Sequence, residues 1–102
     1  MYTENKNRKV YNIDFDGTLT YDPQREYPDD PEPEYNMIKA INRLYMAGNI
    51  IIIWTARMWK DAPFLVSWLI KYRVPFHGIY CQKGGSDVYL DDKMMSIEEF
   101  LK

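Results

Sequence analysis

The fold is decided by the stretch KVYNIDFDGTLT, residues 9–20. Residues 9–15 are short and rich in β-favouring side chains, and they run into the turn-forming pair Asp16-Gly17, which predicts a first strand that ends at a tight turn. The two carboxylates, Asp14 and Asp16, are two residues apart, so they share a face where the strand ends. Holding two like charges this close is costly unless a cation relieves it, and a hard divalent ion such as Mg²⁺ is the usual partner of carboxylate oxygens.

Downstream of this strand the sequence alternates between helical and strand patterns. Apolar residues recur at helical spacing over residues 35–47, with Gly48 as a stop signal, and residues 49–54 form a β-branched run typical of a strand that is buried on both faces. A second helix is predicted at about 61–72, short strands around 77–80 and 87–90, and a short terminal helix after the capping box that begins at Ser96. This order predicts an α/β fold, a three-layer α/β/α sandwich with a mostly parallel sheet and helices on both faces.

Residues 20–34 interrupt this alternation between the first strand and the first helix. From Asp22 to Glu34 the chain has four prolines, six carboxylates and a single arginine, a composition that resists both a helix and a central strand. We therefore expect a Pro-rich acidic loop on the surface. Loops of this length are uncommon in small domains without a function, and whether this one covers a site stays open.

Composition and charge restrict the class of protein. The 102 residues suffice for one domain, residues 1–102, in which the order of residues 1–8 is left open. A formal net charge of −2 gives no reason to expect general attraction to nucleic acid or anionic lipid. The lone cysteine, Cys81, can form no internal disulfide, and neither a secretory signal nor a membrane-spanning run is evident. The expectation is a cytoplasmic protein without a membrane partner.

Further polar groups lie where the later strands are predicted to end. Thr55, Ala56 and Arg57 follow the second strand, Lys83 follows the third, and the pair Asp91-Asp92 follows the fourth. In parallel sheets, ligands bind beyond the carboxyl ends of the strands, so these side chains are expected to meet Asp14 and Asp16 there. Two acidic pairs, a hydroxyl and an ammonium group indicate a site for a metal ion and a phosphate.

These motifs resemble those of the haloacid dehalogenase (HAD)-like hydrolase superfamily. Its phosphatases carry a strand ending in Asp-x-Asp-Gly-Thr, then a strand-terminal Ser/Thr, a Lys and an acidic pair, and all four occur here in order between Asp14 and Asp92. The later motifs are most similar to small capless phosphatases of the capsular-biosynthesis type. The chain has no room for an inserted cap domain, and the resemblance implies that such members either act on large substrates or form homo-oligomers.

The resemblance also implies a role for each matching residue. Asp14 would be the nucleophile that forms an aspartyl-phosphate and Asp16 the general acid and base. Thr55 would donate a hydrogen bond to a phosphoryl oxygen, and Lys83 would neutralise charge on the nucleophile and on the transferring group. The further substrate-binding positions would be Gly17, Thr18, Ala56 and Arg57. Asp14, the backbone carbonyl of Asp16, and Asp91 or Asp92 would bind Mg²⁺, with Asp91 favoured as the direct ligand.

Several readings of the sequence remain open. The expected substrate is a small sugar phosphate or a nucleotide, with a polynucleotide end, an acceptor alcohol in place of water, or a non-catalytic metal-retaining binding module as alternatives. Arg57 and Trp59 are either substrate contacts or ordinary surface residues. His77 is expected to be structural and Cys81 to be a small buried side chain.

Overall fold

The computed structural model describes residues 7–84, 90 and 92–102. Within these ranges the main sheet has three parallel strands: β1 (Val10–Ile13), β4 (Ile50–Trp54) and β5 (Gly78–Tyr80), in the order β1-β4-β5. The three strands correspond closely to the first three that the sequence predicts. The expected fourth strand at 87–90 lies, apart from Leu90, outside the described residues.

The described residues contain three α-helices: α1 (Tyr35–Met46), α2 (Ala62–Lys71) and α3 (Ile97–Leu101). The helix α1 is followed by Gly48 at a φ of 94°, a backbone conformation that glycine adopts without steric cost. Ser96 caps α3 as predicted, since its Oγ accepts the Glu99 N–H at 3.1 Å. No helix in these described ranges is long and apolar enough to cross a membrane.

The sheet has one well-buried face. Ile51 and Ile53 in β4 are fully buried, whereas the residues that alternate with them are only half-buried. Helices α1 and α2 both contribute to the same core cluster as these isoleucines, through residues such as Ile41 and Leu65. Because βαβ crossovers are right-handed, a β1-β4-β5 order places both connecting helices on the same face.

This arrangement corrects the expectation that β4 is buried on both faces, and it limits the expectation of helices on both faces of the sheet. The strand is not buried equally on both faces, and Val10, on the face opposite to the buried isoleucines, is 64% exposed. The described residues therefore show an α/β fold with a parallel sheet and the two crossover helices packed on one face. They do not show helices on both faces of the sheet.

The acidic loop is closed at its base by a short antiparallel pair that the sequence did not predict. Strands β2 (Thr20–Tyr21) and β3 (Glu32–Pro33) pair with each other, and the loop projects between them. Pro31 is fully buried, and its carbonyl accepts the indole N–H of Trp68 at 3.0 Å. The loop is therefore anchored at its C-terminal end to α2.

Candidate functional site

The first carboxylate of the predicted site lies directly beyond β1. Asp14 has an extended backbone, and its Oδ1 accepts the Phe15 N–H at 2.8 Å, capping a wide helical turn over Phe15–Leu19. Phe15 and Leu19 are fully buried, so the turn is fixed to the core while the Asp14 side chain stays 41% exposed. The chain thus holds this carboxylate at the carboxyl edge of the sheet and in contact with solvent.

Gly17 allows the turn to close. Its φ of 77° lies in the left-handed region, which favours glycine, and its N–H donates to Oγ1 of the buried Thr20 at 2.9 Å. Gly17 is one of the substrate-binding positions that the resemblance implies, and its amide is engaged within the turn. A phosphate oxygen bound here would have to replace the Thr20 hydroxyl.

Lys83 is brought to Asp14 as the sequence predicts. Its Nζ lies 3.1 Å from Asp14 Oδ1, and it also sits 5.1 Å from the centre of the Trp54 ring. The lysine follows β5 and the aspartate follows β1, so the contact spans the sheet from one side of β4 to the other. An ammonium group at this point lowers the cost of bringing a second negative charge, such as a phosphate, next to Asp14.

Arg57 makes the closest ion pair of the site. Its Nε and one terminal nitrogen, Nη2, donate to the two oxygens of Asp16 at 2.9 and 2.8 Å, a bidentate pair. The guanidinium also lies over the rings of Phe15 and Phe64, 5.2 and 5.3 Å from their centres. The hydrogen bonding of the Arg57 guanidinium to the Asp16 carboxylate raises the pKa of Arg57, and the charges of Asp61 and Asp29 act in the same direction.

The acidic loop is connected to the site through the core. The Pro31 carbonyl, near its C-terminal end, accepts the Trp68 indole N–H, and the Trp68 ring packs edge-to-face against Phe15 with centroids 4.9 Å apart. Because Phe15 also lies against the Arg57 guanidinium, this end of the loop is fixed next to the residues that hold Arg57.

Thr55 connects the two cation-bearing loops. It is fully buried, and its Oγ1 accepts the Arg57 N–H at 3.1 Å, while its backbone N–H and carbonyl bond to Tyr80 and Lys83. The Gln82 N–H then donates to the Arg57 carbonyl at 2.7 Å. These bonds extend the β4–β5 ladder beyond the last strand residues and hold Arg57 and Lys83 at the same edge.

The remaining predicted site residues differ in their exposure. Thr18 is half-buried in the turn, Ala56 is exposed, and Asp92 is exposed, whereas Asp91 lies outside the described residues. Within 7–84, 90 and 92–102, no group of three or more His, Cys, Asp or Glu side chains is placed to hold a metal ion. The oxygen donors at Asp14 and Asp16 nevertheless suit Mg²⁺, which commonly binds through one or two carboxylates and completes its shell with water and substrate phosphate.

Two residues that were assigned structural roles have them. His77 Nδ1 accepts the Ile51 N–H at 3.0 Å, and its ring lies against Tyr45 at the amino end of the sheet, far along β4 from the carboxylates. Cys81 is fully buried, and burial raises the pKa of its thiol, which disfavours the thiolate needed for nucleophilic chemistry.

The Arg57–Asp16 pair is the main feature that sequence reasoning missed. Arg57 stood as a residue that either contacts substrate or lies on the surface, yet its side chain is only 19% exposed and is held by a carboxylate and two rings. A signal was present, because Arg57 follows a predicted strand that neighbours the strand of Asp16. Its partner could not be chosen from spacing alone.

Comparison with known proteins bears on the fold. A crystal structure of a target protein from Vibrio cholerae is similar to this chain, with a TM-score of 0.74 and 28% sequence identity, over 91% of this chain and 87% of that one. No family model and no curated protein sequence matched. The arguments for function therefore rest on the residues of the site.

Proposed function

We propose that the protein is a Mg²⁺-dependent phosphomonoester hydrolase of the HAD-like type that uses Asp14 as its nucleophile. The observation that carries the proposal is the contact between the Asp14 carboxylate and Lys83 Nζ at 3.1 Å, next to a second carboxylate, Asp16, at the carboxyl edge of a parallel sheet. This is where ligands bind in such sheets. The complete three-layer HAD-like sandwich and a cytoplasmic location are parts of the same proposal.

In the first step, Asp14 attacks the phosphorus of the substrate. Its Oδ1 already accepts hydrogen bonds from the Phe15 N–H and Lys83, so we assign the attack to Oδ2. A bond forms between Oδ2 and phosphorus, the bond from phosphorus to the ester oxygen breaks, and Asp16 gives its proton to the leaving oxygen. Lys83 stabilises negative charge on the transferring group throughout.

In the second step, Asp16 acts as the base. It takes a proton from a water molecule, the water oxygen attacks the phosphorus of the aspartyl-phosphate, and inorganic phosphate leaves with Asp14 restored. Both Asp16 oxygens accept hydrogen bonds from Arg57, which orients the carboxylate that would act in this step. Protonating Asp16 for the first step would require one of the two Arg57 hydrogen bonds to be given up.

The metal ion would be held by the Asp14 carboxylate and the Asp16 carbonyl, together with the Asp91-Asp92 pair that the resemblance implies, of which Asp91 lies outside the described residues. Mg²⁺ bound there supplies neutralisation of the charge that accumulates when a phosphate approaches a carboxylate. Thr55, whose hydroxyl lies beside the Arg57 amide, would add a hydrogen bond to a phosphoryl oxygen.

The test is hydrolysis of an aryl phosphate by the purified chain with and without Mg²⁺, compared with Asp14→Asn. This substitution keeps the shape of the side chain and removes the attacking oxyanion, so turnover should fall by roughly 10⁴-fold or more. Asp30→Asn, an exposed carboxylate in the acidic loop, is the matched control and should behave as the wild type.

Mg²⁺-dependent turnover that is lost only in Asp14→Asn supports the proposal. Equal turnover by Asp14→Asn would remove Asp14 as nucleophile. A folded wild-type chain that binds Mg²⁺ but hydrolyses neither aryl nor alkyl phosphates would overturn the proposal and favour the binding-module alternative.

A further inference from the structure

Three aromatic side chains form a row that starts at the candidate site. Trp54 and Tyr80 are register partners on the parallel strands β4 and β5, so their side chains are neighbours on the same face of the sheet. The Tyr80 ring in turn packs edge-to-face against Trp59, with centroids 6.0 Å apart and an interplanar angle of 76°. We call these three residues the aromatic lip.

The lip is joined to the phosphate-handling residues by direct contacts. Lys83 Nζ lies 5.1 Å from the centre of the Trp54 ring and 3.1 Å from Asp14 Oδ1, so a single ammonium group faces both the nucleophile and the first ring. At the other end of the lip, the backbone N–H of Trp59 donates to Oε1 of Gln82 at 3.4 Å, and Gln82 is next in sequence to Lys83. The two ends of the row therefore both contact the segment that carries Lys83.

Burial in the hydrophobic core does not explain the presence of Trp59 and Tyr80. Trp59 is 48% exposed and Tyr80 is 52% exposed, and among the described residues the buried core cluster includes neither of them. Large aromatic side chains that are held in place yet left open beside a reactive edge are typical of ligand contacts, since a fixed ring offers area at little cost in conformational entropy. The arrangement calls for a flat, ring-bearing group attached to the phosphate.

We propose that the aromatic lip binds the base of a nucleoside monophosphate, which makes a single nucleotide the substrate class of the proposed phosphatase. This inference rests on the proposed function, because the phosphate must sit at Asp14 for the base to reach the lip. Any of the nucleobases can stack on an aromatic side chain, because each has a flat π-face. The acidic loop has six carboxylates, and its anchor at Trp68 packs against Phe15, so its negative charge disfavours the additional phosphates of a polynucleotide.

The experiment compares a nucleoside 5′-monophosphate with ribose 5-phosphate, the same ester without the base. In the wild type, kcat/KM for the nucleotide should exceed that for ribose 5-phosphate by roughly 5- to 140-fold, the range expected for one stacked base. In Trp59→Ala this ratio should fall towards one, mainly through a higher KM for the nucleotide. Tyr35→Ala removes an equally exposed aromatic ring from the start of α1 and should leave the ratio unchanged.

Each other result contradicts the inference in a recognisable way. Hydrolysis of both esters with equal kcat/KM would overturn the base-binding lip and leave the phosphatase in place. A hexose 6-phosphate that is preferred as strongly as the nucleotide, and loses its preference in Trp59→Ala, would assign the lip to a sugar ring. A ratio that persists in Trp59→Ala and in Tyr80→Leu would place the base elsewhere, and no turnover of any ester would overturn both proposals.

Discussion

The two ends of the main sheet use their polar residues differently. At the amino end, Asn49 and His77 bond to backbone groups: Asn49 accepts the Lys9 N–H and donates to the Leu44 carbonyl, and His77 accepts the Ile51 N–H. At the carboxyl end, charged side chains pair with each other, Asp14 with Lys83 and Asp16 with Arg57. Side chains that bond to backbone groups stabilise the sheet, whereas the ion pairs at the carboxyl end join side chains that follow three separate strands and are the basis of the function proposed above.

After Asp14→Asn, the largest effect is expected at Lys83, and it tests whether the carboxyl end is catalytic. Lys83→Met keeps the length of the side chain but removes the charge that would stabilise the transferring phosphoryl group, so kcat should fall by roughly 10²- to 10³-fold. Steady-state hydrolysis of an aryl phosphate with Mg²⁺ measures this. Lys39→Met, an exposed lysine of α1, is the control, and equal activity in both variants would break the contrast between the two ends.

A smaller and more selective effect is expected at Arg57, which we regard as a positioning residue for Asp16. Alkyl phosphates need a proton on the leaving oxygen, and 4-nitrophenyl phosphate does not, because its leaving group is a weak base. Arg57→Gln should therefore reduce kcat/KM about tenfold more for the alkyl ester than for the nitrophenyl ester.

The Arg57 experiment has two further arms. Arg57→Lys, which keeps the charge but loses the bidentate geometry, should fall between Arg57→Gln and the wild type. Arg43→Gln on α1 provides the control. An equal loss for the two esters would mean that Arg57 serves the fold or binds phosphate without positioning Asp16.

The smallest effect is expected at the amino end. His77→Phe keeps a ring against Tyr45 but removes the acceptor for the Ile51 N–H, so the free energy of unfolding should fall by about 1 kcal/mol. Urea unfolding gives this number. The value of kcat should stay at the wild-type level, and a loss of turnover with unchanged stability would show that both ends of the sheet serve the reaction.

Local patterns were sufficient to predict most of the elements. The helix at 35–47, the strand at 49–54 and the cap at Ser96 are each encoded in a continuous run of side chains, and the structure places α1, β4 and α3 there. The exposure of one sheet face was not predicted, because it depends on the order β1-β4-β5, which no single segment contains. The β2–β3 pair was missed because two residues per strand leave no period to detect.

The sequence predicted which residues lie at the carboxyl edge of the sheet better than it predicted which of them form ion pairs. The strand-end rule brought Asp14 and Lys83 to one edge, and their contact confirms that placement. The choice of Asp16 as the partner of Arg57 depends on the rings of Phe15 and Phe64, which come from β1's turn and from α2. The assignment of Asp91 as the metal ligand remains a prediction, since that residue lies outside the described part of the chain.

The extension of the β4–β5 ladder through Thr55 and Gln82 gives Arg57 and Lys83 a common backbone support. Arg57 and Lys83 are carried by segments that are bonded backbone to backbone, so a backbone shift in one segment is passed on to the other. For anyone who wishes to re-engineer this chain, insertions or deletions in either segment would alter recognition and rate together. Selectivity can be changed separately from rate only by exchanging the side chains that project from this backbone support, with the backbone left as it is.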